Sequence, residues 1–297
     1  MTTWSERLGR LGVWTHTDGA SVADAEATVA LIEGLGYGAV WLPETLGRDP
    51  FAHIAHLADS TDTLIFATGI ASIHHRHPGA MAQAANTLAE QTAGRFVLGL
   101  GVSHAPMVSG VRGLPYDKPL STMRTYLEAM TASPYMAPAP DTPAPRLLAA
   151  LGPKMLELAA THADGAHPYW TTPEHTATAR SILGPDKLLC VEQKVVLTED
   201  AEVARATAVG ALSVYRGLPN YRNSWLRLGY TDEEIDGDSP RFLDAVVAWG
   251  SADAIRERIR EHHDAGADHV CIQPLSPGKP FRLDHAALRA LAPNARQ

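Results

Sequence analysis

Short apolar runs alternate with longer amphipathic stretches along the whole chain. Residues 11–14, 39–42, 64–70, 96–101, 147–150, 165–168, 188–197 and 269–272 read as strands, being apolar nearly throughout and bounded by Gly or Pro. Between them the period changes. Ser21 precedes Val22, Ala25, Val29, Ile32 and Leu35, which trace one helical face, and Gly34 and Gly36 stop it. Similar stretches predict helices over 50–58, 78–94, 121–130, 153–162, 173–183, 199–212, 251–266 and 284–291. The Pro/Ala-rich segment 134–145 reads as an irregular loop, and 215–237 as an aromatic and polar insertion.

Eight strand-then-helix units predict an all-parallel sheet closed into a (β/α)8 TIM barrel, with a doubly wound open sheet as the rival. The 297 residues fit one such domain, spanning 1–297, with insertions in the βα loops near 102–145 and 213–249. In a barrel of this kind the chemistry sits at the C-terminal ends of the strands. Strand one delivers Trp14, His16 and Asp18 there, and strand two Pro43 and Glu44. Strand three delivers Gly69, Ile70 and the run His74 to His77, and strand four Gly99, Gly101, Ser103 and His104. Strand five brings Leu151, Gly152 and Pro153, and strand six His167, Tyr169 and Trp170. Imidazoles at successive strand ends suit proton transfer near neutral pH.

These positions resemble the luciferase-like monooxygenase superfamily, in its deazaflavin (coenzyme F420) dependent oxidoreductase branch. The resemblance is carried by Thr68-Gly69-Ile70, Arg76-His77-Pro78, Leu88-Ala89-Glu90 and the run from Gly94 to Gly101. Leu11 to Trp14, Ala39 to Trp41, Leu151-Gly152-Pro153 and Ala163-Asp164-Gly165 support it. It implies hydride transfer between F420 and a small-molecule substrate, with an FMN-dependent monooxygenase on the same barrel as the alternative. It also implies a non-prolyl cis peptide at Gly69–Ile70 backing the cofactor ring. Gly99 and Gly101 would let the cofactor approach the backbone, and Leu151, Gly152 and Pro153 would offer helix N–H groups to phosphate. Arg76 would pair with a cofactor anion, and Trp14, His16 and Ser103 complete the expected cofactor contacts. His104 stands where related dehydrogenases place a catalytic Glu, and Glu44 where they carry a His. A swapped acid–base pair, His104 with Glu44, is therefore the expected catalytic unit. A cofactor carrier without turnover, or a barrel hydrolase, are readings from other classes.

Composition narrows the partners. A net charge of −8 without a basic run argues against nucleic acid. No apolar stretch nears the roughly 20 residues that cross a bilayer, and residues 1–10 lack a signal-peptide core, so a cytoplasmic location is expected. Cys190 and Cys271 lie in apolar runs and read as reduced core thiols. His74, His75 and His77 alternate in direction and do not make a metal set, so no metal is expected. The aromatic insertion at Tyr215, Tyr221, Trp225 and Tyr230 either shapes the substrate pocket or forms a contact in an expected homodimer.

Overall fold

The structure, a computed structural model, describes residues 2–293. The strands are β1 (Leu11–Trp14), β2 (Ala39–Leu42), β3 (Ile65–Thr68), β4 (Ala71–Ser72), β5 (Phe96–Gly101), β6 (Arg146–Leu148), β7 (Gly165–Ala166), β8 (Leu188–Leu197), β9 (Val247–Gly250), β10 (His269–Ser276) and β11 (Lys279–Leu283). The helices are α1 (Trp4–Leu8), α2 (Val22–Gly34), α3 (Pro50–Leu57), α4 (Pro78–Gln91), α5 (Pro119–Ala132), α6 (Pro153–His162), α7 (Pro173–Leu183), α8 (Ala201–Leu212), α9 (Pro219–Arg227), α10 (Asp232–Asp236), α11 (Pro240–Val246), α12 (Ala252–Asp264) and α13 (His285–Ala290).

Eight parallel strands close into a barrel in the order β1-β2-β3-β5-β6-β7-β8-β10, and β10 returns to β1 in the register Leu11↔Val270. The two-residue period of the strands sorts side chains to two sides. Val40 and Phe66 face the surrounding helices, whereas Ala39, Trp41, Ile65, Ala67 and Val97 fill the interior. Leu8 of α1 joins the interior cluster and closes the N-terminal end of the barrel. Helix starts follow local chemistry. Ser21 accepts from Asp24 N, Asp200 from Glu202 N and Val203 N, and Ser251 from Ala254 N, while prolines open α3, α4, α6 and α7. Both cysteines are free and buried.

The eight predicted barrel strands are present, and the open-sheet rival is excluded by the closure of β10 on β1. Three features depart from the sequence reading. The third strand stops at Thr68 rather than running to Ile70; the expected cis Gly69–Ile70 bond follows, and β4 resumes beside β5. The insertion over 213–249 contains α9, α10, α11 and the strand β9, which lies parallel to the C-terminal half of β8. No turn residue separates Val246 from Val247, so helix runs straight into strand without a boundary signal. The last barrel strand continues past Ile272 and folds back through Pro277-Gly278 as β11. None of the helices in the described residues is long and apolar enough to cross a membrane.

Candidate active site

Two cavities open at the C-terminal ends of the strands. The first, of about 340 Å³, lies between Trp14, Gly69 and Ile70 on one side and Tyr169, Tyr215 and Tyr221 on the other. The second, of about 270 Å³, runs from Gly101 and Ser103 to Gly152 and Arg227. Ile70, Ser103, His104, His167, Tyr169 and Tyr221 line both, so the two compartments share one wall.

The floor of the first cavity is assembled from β1 and β3. The Trp14 indole N–H donates to the Gly69 carbonyl at 2.9 Å, and His16 stands edge-on to Trp14 with centroids 4.7 Å apart. A Cβ on Gly69 would lie 2.6 Å from Trp14 Nε1, so the glycine is what admits the indole. Gly101 plays the same part for Ile70, whose Cδ1 a Cβ would meet at 2.5 Å. Gly99 serves another purpose. It lines neither cavity, and a Cβ there would lie 2.0 Å from the Thr68 carbonyl, so it lets β5 pack on β3.

His104 follows β5 in a loop turned by Ser103 at φ +55°. It faces Tyr221 with centroids 5.5 Å apart. Burial pushes its pKa below the usual imidazole range, and a hydrogen bond with Asn220 only partly offsets this. The imidazole is therefore neutral at pH 7. His16 is lowered for the same reason, burial outweighing the pull of Asp18.

Glu44 also lines the first cavity, but its carboxylate is taken. It accepts from Arg76 Nη1 at 2.6 Å and from Ser72 N at 2.8 Å, and His75 Nδ1 lies 3.2 Å away. Arg76 in turn bonds Asp49 and lines neither cavity. The guanidinium expected to meet a cofactor anion is thus directed at two carboxylates of its own chain. The structure brings Glu44 and His104 to one cavity, yet Glu44 is held as the counter-ion of Arg76 rather than as a free acid or base. His77 accepts from Gly79 N and caps α4, and His74 packs on Tyr116.

Leu151 and Gly152 line the second cavity and Pro153 opens α6 beside it. Gly152 caps α6 without a side chain, so nothing on the residue competes for the first helix N–H groups. Among the described residues, Arg227 is the one lysine or arginine lining either cavity, and burial lowers its pKa. It comes from α9, inside the insertion. On this helix Tyr221 and Trp225 bury themselves, the Trp225 indole donating to the Trp170 carbonyl at 3.0 Å. Asn220, Asn223 and Arg227 recur three and four residues apart on the neighbouring face, and all line the second cavity.

The sequence placed His167 at a strand end but gave it no role. Its Nδ1 donates to the Cys190 carbonyl at 2.9 Å, and its ring stacks on Trp41 at 4.3 Å. Burial pushes its pKa down to about 4. Nε2 is left as a lone-pair acceptor with no partner among the described residues. Behind Tyr169 lies an omission. Glu192 and Lys194 share one face of β8 inside the barrel, Nζ lying 3.0 Å from Glu192 Oε2 and 3.6 Å from the Tyr169 ring centroid. Burial pushes Lys194 down to about 8 and Glu192 up, each against the pull of the other. The signal was a Glu-x-Lys alternation within an otherwise apolar strand.

The comparisons with known proteins agree with this geometry. The luciferase-like monooxygenase profile matches residues 7–269. The chain is 26% identical to a putative coenzyme F420-dependent oxidoreductase of Mycobacterium tuberculosis, over 90% of this chain and 94% of that one. Its fold superposes on an F420-dependent secondary alcohol dehydrogenase in complex with an F420–acetone adduct, with a TM-score of 0.75 at 16% identity over 97% of this chain and 99% of that one. It also superposes on the FMN-bound oxygenating constituent of 3,6-diketocamphane monooxygenase from Pseudomonas putida, with a TM-score of 0.68 at 16% identity over 96% and 97% of the two chains. The chain belongs to the luciferase-like monooxygenase family.

Proposed function

We propose that the protein is a coenzyme F420-dependent oxidoreductase that moves a hydride between the deazaflavin C5 and a small organic substrate. The observation that carries this is the division of the site. An aromatic-walled, cation-free cavity adjoins one that ends at a helix N-terminus and Arg227. A flat heteroaromatic ring with an anionic tail matches that division: the ring against Gly69 and Ile70, the tail toward Gly152 and Arg227. The unpartnered His167 Nε2 offers an acceptor to an N–H or O–H of the bound molecule. The relative named for F420 supports the deazaflavin over FMN.

When bound, the deazaflavin supplies a two-electron hydride donor and acceptor. The protein supplies proton handling and water exclusion. Neutral His104 is a base, so it takes the hydroxyl proton as an alcohol is oxidised to a carbonyl, and returns it to the oxygen in reduction. Trp14, Tyr169 and Tyr221 keep bulk water from the reacting atoms. Asn220 orients the His104 ring. Glu44 sets the geometry of the third strand's end by holding Ser72 N and Arg76.

The FMN-dependent monooxygenase is the second reading, because FMN also joins a flat ring to a phosphate. The two separate in air. A reduced F420 complex of this protein keeps its reduced-cofactor spectrum without consuming oxygen. Oxygen uptake by the reduced FMN complex, with no binding of F420, sinks the proposal.

A further inference from the structure

Among the described residues, the first cavity has no Lys or Arg in its wall. Its titratable residues are three histidines, three tyrosines and one glutamate. Burial holds His16, His104 and His167 below the imidazole range. Burial also raises the hydroxyls of Tyr169, Tyr215 and Tyr221. Glu44 is the remaining charge, and Arg76 already neutralises it at 2.6 Å.

The surrounding cations are all turned to other tasks. Lys194 is walled off behind the rings of Tyr169 and Trp170, 3.6 and 3.9 Å from their centroids, with Glu192 as counter-ion. Arg112 donates to the Thr45 carbonyl at 3.0 Å from an exposed position. Arg227 lines only the second cavity. An anion entering the first cavity would lose its hydration and meet no counter-charge. A cation fares no better, because Lys194 already faces the Tyr169 ring that would otherwise attract it.

We infer that the part of the first cavity left beside the ring, walled by His104, Met107, Val214 and Tyr215, selects an uncharged, largely apolar alcohol or carbonyl compound with its oxygen toward His104. The inference deepens the cofactor reading above and rests on it only for which group does the chemistry; the selectivity belongs to the cavity wall.

The test compares three probes of one shape: α-methylbenzyl alcohol, its para-carboxylate and its para-aminomethyl analogue. Binding is followed by saturation-transfer NMR on the apo-protein and after addition of F420. The neutral alcohol should bind at least about tenfold more tightly than either charged analogue, since neither charge finds a partner. Val214 is 56% exposed at the cavity mouth, so Val214→Lys leaves the fold intact and should narrow the gap to the carboxylate. A smaller preference, a charged probe bound as well as the alcohol, or no binding of any probe overturns the inference. Should F420 fail to bind while the apo-protein keeps the neutral preference, the cofactor reading falls alone.

Discussion

Lowering the pH from 7 to 5 should destabilise the fold by about 6 kcal/mol through three histidines alone, each costing about 2 kcal/mol. His167, His262 and His269 are buried neutral, with pKa values pushed down to about 4, about 3 and about 4 from 6.5. A second ring proton would break a hydrogen bond of His262 and of His269, and on His167 would leave a charged ring with a buried, unpaired N–H. His262 joins Thr176 at 2.8 Å to Gln193 at 2.9 Å, and His269 donates to Gly9 O at 2.7 Å while accepting from the Trp41 indole at 3.2 Å. The sign follows from proton counts. Below pH 6.5 the unfolded chain protonates these rings and the folded chain does not, so stability is full above 6.5 and falls as pH drops toward the folded values. The slope is about 1.4 kcal/mol per pH unit per ring, hence about 2 kcal/mol each at pH 5. Glu192 offsets part of this, because burial raises its carboxyl. Asp18 and Asp49, held low by hydrogen bonds, contribute only near pH 4 and below. Urea unfolding at pH 7, 6 and 5, with proton uptake from calorimetry in two buffers, measures the effect. Net proton uptake on unfolding at pH 5 is expected, with about one proton from each of the three rings less what Glu192 releases, and His262→Gln should remove one. Equal stability at pH 7 and 5, or no net uptake, refutes the reasoning.

Three further outcomes test the site. Arg227→Gln should weaken F420 binding about tenfold and flatten its salt dependence, the size of one lost charge-assisted hydrogen bond, read by F420 fluorescence. Gly101→Ala should displace Ile70 into the shared wall and lower cofactor affinity at nearly unchanged thermal stability, whereas Gly99→Ala should unfold the barrel, since its Cβ meets backbone; equal effects on stability would contradict this. His104→Ala should lower kcat about 10²- to 10⁴-fold at nearly constant cofactor affinity, while Glu44→Gln should cost stability by about 3 kcal/mol, leaving Arg76 half-paired, and kcat less. A larger kcat loss for Glu44→Gln than for His104→Ala would restore Glu44 as a direct acid or base.

The barrel was legible because its signal is repetitive. Most strands are apolar nearly throughout and the helices carry start signals such as Ser21 or Ser251, so boundary errors did not alter the topology. The strand-end residues Trp14, Gly69, Ile70, Ser103 and His104 reached the site because the βα loops carrying them are short or anchored to the strand. Arg76 did not, since a sequence shows a guanidinium but not the two carboxylates, Glu44 and Asp49, that reach it first. Gly99 and Gly101 lie two apart and so share one face of β5, yet a Cβ on Gly99 would meet the Thr68 carbonyl of β3, whereas one on Gly101 would meet the Ile70 side chain at the cavity end. Tyr221 was named as a pocket candidate, but Arg227 was hidden because α9 lies in an insertion whose docking depends on Trp225 finding the Trp170 carbonyl, a contact between residues 55 positions apart. His167 was visible as a strand-end imidazole; its role as a fixed acceptor depended on Cys190 O, a backbone atom that no pattern names.

The central claim is most directly tested by titrating the apo-protein with F420 and with FMN, following fluorescence quenching at low salt. The division of the site into a ring compartment and an Arg227 end predicts saturable binding of both, and the relative named for F420 points to F420 as the tighter by about tenfold or more, a difference of about 1.4 kcal/mol. FMN preferred by about tenfold, or F420 quenching that does not saturate, contradicts the account.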